Sequence, residues 1–221
     1  TSLSLSCASA SALKARRHGS VALFTTTKGK NGIKGLGNKI LAFCENGAAV
    51  AQPQTQPSKS LTDLGNYIAF QFGEDCLLSQ LLGFKIGFHH GGLPQEIRRE
   101  MEEAIHNKII SILICTNTLA EGVNLPIRTL VIHTVKRYDP RSETYKYLKN
   151  RTIKNIIGRV GRAGKETRGR IIFANENEKS EIEAVLRDQN MEKAHGAFFN
   201  LIRALNRFVT QNNIQFASFL L

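Results

Sequence analysis

Phe84-Lys85-Ile86-Gly87-Phe88-His89-His90-Gly91-Gly92-Leu93-Pro94-Gln95-Glu96-Ile97-Arg98 reads as a strand, a glycine turn and a helix. The run over residues 84–88 is short and apolar, and it stops at a His-His-Gly-Gly turn. A bounded run of that length suits a buried strand. Pro94 suits the first position of the following helix, where its missing N–H has no intrahelical partner. The same grammar recurs over residues 111–115, 129–135 and 169–174. Ile40-Leu41-Ala42-Phe43-Cys44, followed by the turn Glu45-Asn46-Gly47, reads as another such strand. Leu61, Leu64, Ile68 and Phe72 fall at helical spacing, as do Leu77, Leu78, Leu81 and Leu82. Short buried strands alternating with helices predict a mainly parallel sheet in an α/β fold.

In open α/β sheets, ligands sit outside the carboxyl ends of the strands. His90-Gly91-Gly92, Thr116-Asn117 and Glu45-Asn46 are expected at such ends. Glycines there let backbone N–H groups face a phosphate. Arg98, one turn past Pro94, is close enough to the helix start to meet the same anion. Further on, Asn155-Ile156-Ile157-Gly158-Arg159-Val160-Gly161-Arg162 places two arginines three residues apart, each after a glycine. Such spacing lets both guanidinium groups leave a short helix on one face. Two permanently charged planar forks aimed at one spot suit a polyphosphate. The plainer alternative is an exposed basic turn bonded to carboxylates.

Three motifs stand in order: His-His-Gly-Gly-Leu at 89–93, Thr-Asn-Thr-Leu-Ala-Glu-Gly-Val-Asn-Leu-Pro at 116–126, and Gly-Arg-Val-Gly-Arg-Ala-Gly at 158–164. Together they resemble the second RecA-like lobe of a superfamily-two helicase, closest to the Ski-type and DEAD/DEAH-box groups. The likeness covers roughly residues 39–175. It implies a three-layer α/β/α domain followed by C-terminal helices. It also implies that Asn46, Gly91, Gly92, Arg98 and Thr116 contact the backbone of one strand of DNA or RNA. By the same resemblance, Gly122, Asn124 and Asn155 face ATP, and Arg159 and Arg162 are arginine fingers on its γ-phosphate. Two positions depart from the family pattern. Asn124 stands where an aspartate is frequent, and Asn155 where glutamine or histidine is.

Some parts of an ATPase are absent from this sequence. It holds no Gly-x-x-x-x-Gly-Lys-Ser/Thr loop, and Thr27-Lys28-Gly29-Lys30-Asn31 is only a fragment of one. No Asp-Glu pair follows a strand to hold magnesium. ATP and its Mg are therefore expected to rest mainly on a missing N-terminal RecA-like lobe. A non-catalytic nucleic-acid-binding or scaffold module of the same fold is the alternative. No set of Asp, Glu, His or Cys has metal-ligand spacing.

The charge of +12 is uneven. Residues 1–38 carry six basic groups and no acidic ones, and residues 128–170 carry thirteen basic and three acidic, whereas 39–127 are net acidic. Such a surface faces a polyanion. The four cysteines include no C-x-x-C pair and suggest a reducing intracellular compartment, cytoplasm or nucleus. No apolar run approaches the roughly 20 residues that span a bilayer. Residues 1–38 are read as an arm or interlobe linker with one strand-like run, Val21-Ala22-Leu23-Phe24. Their basic, Ser-rich composition is also that of an organellar transit segment. Residues 176–221 are read as a helical extension, and the apolar ending and non-Met start suggest a piece of a longer protein.

Overall fold

The computed structural model describes residues 2–47, 58–120, 125–161 and 169–187. Five parallel strands form one sheet: β1 (Val21–Phe24), β2 (Ile86–His89), β3 (Ile112–Cys115), β4 (Thr129–Ile132) and β7 (Arg170–Phe173). Their spatial order is β2-β3-β1-β4-β7. β5 (Lys136–Asp139) and β6 (Thr144–Tyr147) make a separate antiparallel hairpin. Every residue of β1, β2, β3 and β4 is buried, as continuous apolar strands covered on both faces must be.

Helices α1 (Ser2–Ala15), α2 (Ile33–Glu45), α3 (Lys59–Phe72), α4 (Leu77–Leu82), α5 (Gln95–His106), α6 (Asn150–Ile157) and α7 (Glu176–Arg187) complete the described fold. The connection from β1 to β2 runs one way across the sheet, and those from β2 to β3 and from β4 to β7 run the other. Right-handed crossovers therefore put α2 on one face and α5 and α6 on the opposite one. α1 packs against α2, β1 and β4. The result is the RecA-like three-layer α/β/α arrangement.

The structure corrects two expectations. Residues 1–38 are not an arm. They supply α1 and the middle strand of the sheet, with Leu23 between Ile114 and Val131. Residues 40–44 are not a strand but the last turns of α2, whose buried residues Ile33, Leu36, Ile40 and Cys44 follow helical spacing from further upstream. Two glycines inside α2 hide that pattern. A Cβ on Gly35 would stand 1.9 Å from the backbone oxygen of Lys30, so the loop after β1 lies directly on the start of α2. The carbonyls of Thr27, Lys28 and Gly29 accept from the N–H groups of Ile33, Lys34 and Gly35 at 3.0, 3.1 and 3.3 Å. Of the extension expected over 176–221, α7 is described, and residues 188–221 lie outside the described residues.

Candidate functional site

Three loops meet at the carboxyl ends of adjacent strands. β1 leads into Thr25-Thr26-Thr27-Lys28, β2 into His90-Gly91-Gly92, and β3 into Thr116-Asn117-Thr118. The N–H of Thr116 donates to the carbonyl of His89 at 3.2 Å, tying the second and third loops together. A Cβ on Gly92 would lie 2.7 Å from Lys28 Nζ, which puts that ammonium on the glycine turn. Arg98, on the first turns of α5, faces the same place.

His90 reports this crowding. Its Nδ1 accepts from the N–H of Gly92 at 3.0 Å and fixes the turn. Burial, then the charges of Lys28, His89 and Arg98, push it well below the ordinary imidazole value, to about 4. The ring is neutral at neutral pH, with its proton on Nε2. Two polar atoms beside these loops, Arg98 Nε and Asn117 Oδ1, are buried without a hydrogen-bond partner. Both lie beside the cationic groups of Lys28 and Arg98, where a buried polar atom is ordinarily paired.

His89, buried behind the turn, is bonded at both ring nitrogens. Nδ1 lies 2.8 Å from Thr118 Oγ1 and Nε2 lies 2.7 Å from Glu102 Oε1. On the other side of the sheet's carboxyl edge stands the β5–β6 hairpin. It exposes Tyr138 and Tyr145, whose rings meet edge to face at 5.5 Å. Lys136 Nζ sits 4.8 Å over the Tyr147 ring. Asp139 clasps the turn by accepting from Lys146 Nζ at 2.6 Å, Ser142 Oγ at 3.1 Å and the N–H of Arg141 at 3.0 Å. The Lys146 bond, first of these, holds its carboxyl below the ordinary value. Between hairpin and sheet lies a groove of about 500 Å³ lined by Thr26, Thr27, Lys30, Asn31, Tyr138 and Tyr145, among others.

Gly91, Gly92, Arg98 and Thr116 are thus brought together, and Asn46 is not among them. Asn46 caps the carboxyl end of α2. There Cys44 feels the charge of Arg16, which precedes β1, so this is the amino end of the sheet. Asn155 is exposed on α6, and Arg159 is half-buried just beyond it. α6 ends at Ile157, and Gly161 has φ 79°, so Arg159 stands in a turn and not on a helical face. The N–H of Gly161 donates to the carbonyl of Ile127 at 3.0 Å, fixing that turn against the start of β4. Gly122, Asn124 and Arg162 lie outside the described residues.

The sequence reading missed Lys28 and the hairpin. A hydroxyl-rich basic loop straight after the Val21–Phe24 run was the signal for the first. An Asp139-Pro140 turn between a segment carrying Tyr138 and one with Tyr145 and Tyr147 in alternation was the signal for the second. Among the described residues no cluster of three His, Cys, Asp or Glu could hold a metal. Among those residues no helix is long and apolar enough to cross a membrane.

Comparison with known proteins adds sequence likeness to this geometry. The family described as helicase conserved C-terminal domain matches residues 33–164. The ATP-dependent DNA helicase Hel308 of Thermoplasma volcanium is 41% identical over 101 residues, covering 45% of this chain and 15% of that protein. The Hachiman protein HamB of Bacillus cereus is 31% identical over 159 residues, covering 68% of this chain and 14% of that protein. The human helicase POLQ-like is 34% identical over 126 residues, covering 56% of this chain and 10% of that protein. The matched part is thus a small fraction of each relative's length.

Proposed function

The chain belongs to the helicase conserved C-terminal domain family, the second RecA-like lobe of superfamily-two helicases, and from that premise we propose a division of labour for its residues. The observation that carries the proposal is the convergence of Lys28, Gly91, Gly92, Arg98 and Thr116 at one end of the sheet, with orphaned polar atoms beside them. These groups take the sugar-phosphate backbone of a single strand. They read charge and spacing rather than bases, so the contact positions the strand without selecting its sequence. The exposed tyrosines and lysines of the hairpin extend this surface with rings on which bases stack.

The nucleotide side is Asn155, Arg159 and Arg162, with Gly122 and Asn124. ATP is held mainly by a first RecA-like lobe, with Mg supplying charge neutralisation at its phosphates there. Closure of the two lobes brings the two guanidinium groups onto the γ-phosphate, where they stabilise the charge that spreads in the transition state. A ligand that binds the closed state better drives closure, and its hydrolysis releases it. Repeated closing and opening moves this lobe along the strand.

The test uses the 221-residue chain and its parent helicase. Alone, the chain should release phosphate from ATP no faster than buffer. It should bind fluorescent single strands weakly, with an affinity that falls as salt rises by a slope of about 0.7 per phosphate neutralised. Arg98→Ala should lower that slope by about 0.7, and Thr116→Val should weaken every sequence alike. Salt-independent binding, or ATP turnover that tracks the purified chain, would overturn the reading. A parent protein that binds strands but shows no strand-stimulated ATPase would favour the scaffold alternative.

A further inference from the structure

His89 is only 2% exposed, yet both of its ring nitrogens are engaged by groups from two other segments. Thr118 has one hydroxyl proton and donates it to the carbonyl oxygen of His89, 3.1 Å away. The same Thr118 Oγ1 lies 2.8 Å from Nδ1 of the ring, and Glu102 Oε1 lies 2.7 Å from Nε2. The ring is thus held between the Thr118 hydroxyl on one side and the Glu102 carboxyl on the other.

The position of this doubly bonded ring gives it a further consequence. Glu102 follows Arg98 by four residues on α5, so the two side chains share a face of that helix. The methyl of Thr118 lies 3.9 Å from where a Cβ on Gly91 would stand, directly under the glycine turn. Thr118 belongs to the short 3-10 turn Asn117–Ala120, which packs against α6, the helix leading to Arg159. One ring thus fixes the phosphate-facing turn and α5 on one side and the Asn117–Ala120 turn on the other.

We propose that His89 is a positioning residue that, held by Glu102 and gripping Thr118, couples strand occupancy at the glycine turn to the placement of Arg159. The inference rests on the reading under Proposed function. A strand that presses on Gly91 and Arg98 shifts α5 and the turn together, and the shift reaches α6 only while the Thr118 hydroxyl is clamped between ring and carbonyl. None of the three side chains needs to touch either ligand.

The experiment is strand-stimulated ATP hydrolysis by the full-length parent helicase, with wild type beside His89→Gln, Glu102→Gln, Thr118→Val and Thr118→Ser. Misplacing a catalytic group by about an ångström costs up to roughly a hundredfold, so Thr118→Val and His89→Gln should lose about tenfold or more of the stimulated kcat. Their strand Kd without nucleotide, and their unstimulated rate, should stay near wild type. Thr118→Ser keeps the hydroxyl and should restore stimulation. If His89→Gln fails to fold, Glu102→Gln and Thr118→Val decide, since Glu102 is part-exposed and Thr118→Val is nearly isosteric. A Thr118→Val enzyme stimulated like wild type would overturn the coupling while leaving the wider function standing. Stimulation lost only in proportion to the folded fraction would overturn it equally, as a merely structural brace. A wild type that strands do not stimulate would instead strike the reading on which the inference rests.

Discussion

Replacing Glu178 with alanine should cost the fold about 3 kcal/mol, chiefly by orphaning one backbone N–H. Glu178, in the first turn of α7, is only 3% exposed. Its carboxylate accepts from the N–H of Val135 at 2.6 Å, from Thr134 Oγ1 at 2.9 and 3.2 Å, and from Asn175 Nδ2 at 3.2 Å. Thr134 and Asn175 are half-buried, so water can replace their partner. Val135 is 1% exposed, and its N–H has nowhere else to turn. Losing a charge-assisted bond and leaving a buried donor unsatisfied together amount to about 2–4 kcal/mol. For a domain of this size, each kcal/mol lowers the melting temperature by about 2–4 °C, giving a fall of about 6–12 °C. Circular-dichroism melts of wild type, Glu178→Ala and Glu178→Gln measure it. The glutamine variant keeps one acceptor oxygen and should fall between the other two. Val135 begins the approach to the hairpin, so Glu178→Ala should also weaken single-strand binding below its melting transition. An alanine variant that melts within about a degree of wild type would refute the argument, because the size of the fall follows from that one N–H.

Two further outcomes are expected. In the parent enzyme, Arg159→Ala or Arg162→Ala should lower strand-stimulated ATP hydrolysis by about a thousandfold or more, with strand affinity in the absence of nucleotide unchanged. Lysine should rescue poorly because it lacks the planar fork, and a variant that melts like wild type and keeps its turnover would end the finger assignment. In the isolated chain, His90 and His133 are each held by burial to about 4 against an ordinary 6.5. The unfolded chain therefore binds more protons between those values, so their contribution is complete above 6.5 and is lost as pH falls toward 4. Urea melts across that range should show the decline, and His133→Asn should flatten it; a slope untouched by that change would disprove the role of His133.

The parallel sheet was legible because its strands are continuous apolar runs that end at turn residues. β3, β4 and β7 lie within the runs read for them, and β2 extends one residue past its run, to His89. The place of β1 was not legible. Four apolar residues announce a strand but not its partners, and those partners come from far along the chain. α2 misled for a local reason. Gly35 and Gly37 are poor helix formers, needed there for close packing, and they cut the helical pattern short so that residues 40–44 stood alone. At the candidate site, the meeting of Gly91, Gly92, Arg98 and Thr116 was readable from their place after strands and at a helix start. Asn46 failed with the strand assigned before it. Lys28 was passed over because its loop was weighed only as a broken phosphate loop, and the helical face assigned to Arg159 ends where α6 ends, before Gly158.

The middle position of β1 also shapes how the chain must assemble. Val21 pairs with Ile112 on one side and Thr129 on the other, so its two neighbours are made roughly ninety and roughly one hundred and ten residues later. As the polypeptide leaves the ribosome, α1 and α2 can form early, but the apolar strand between them waits for most of the lobe before either edge is covered. Loop closure over that distance has to precede any gain from the sheet. The lobe is therefore a slow, high-contact-order folder whose first strand is exposed to wrong pairings during synthesis. A fragment cut at residue 33, where the family match begins, would lack the strand on which the rest of the sheet is built.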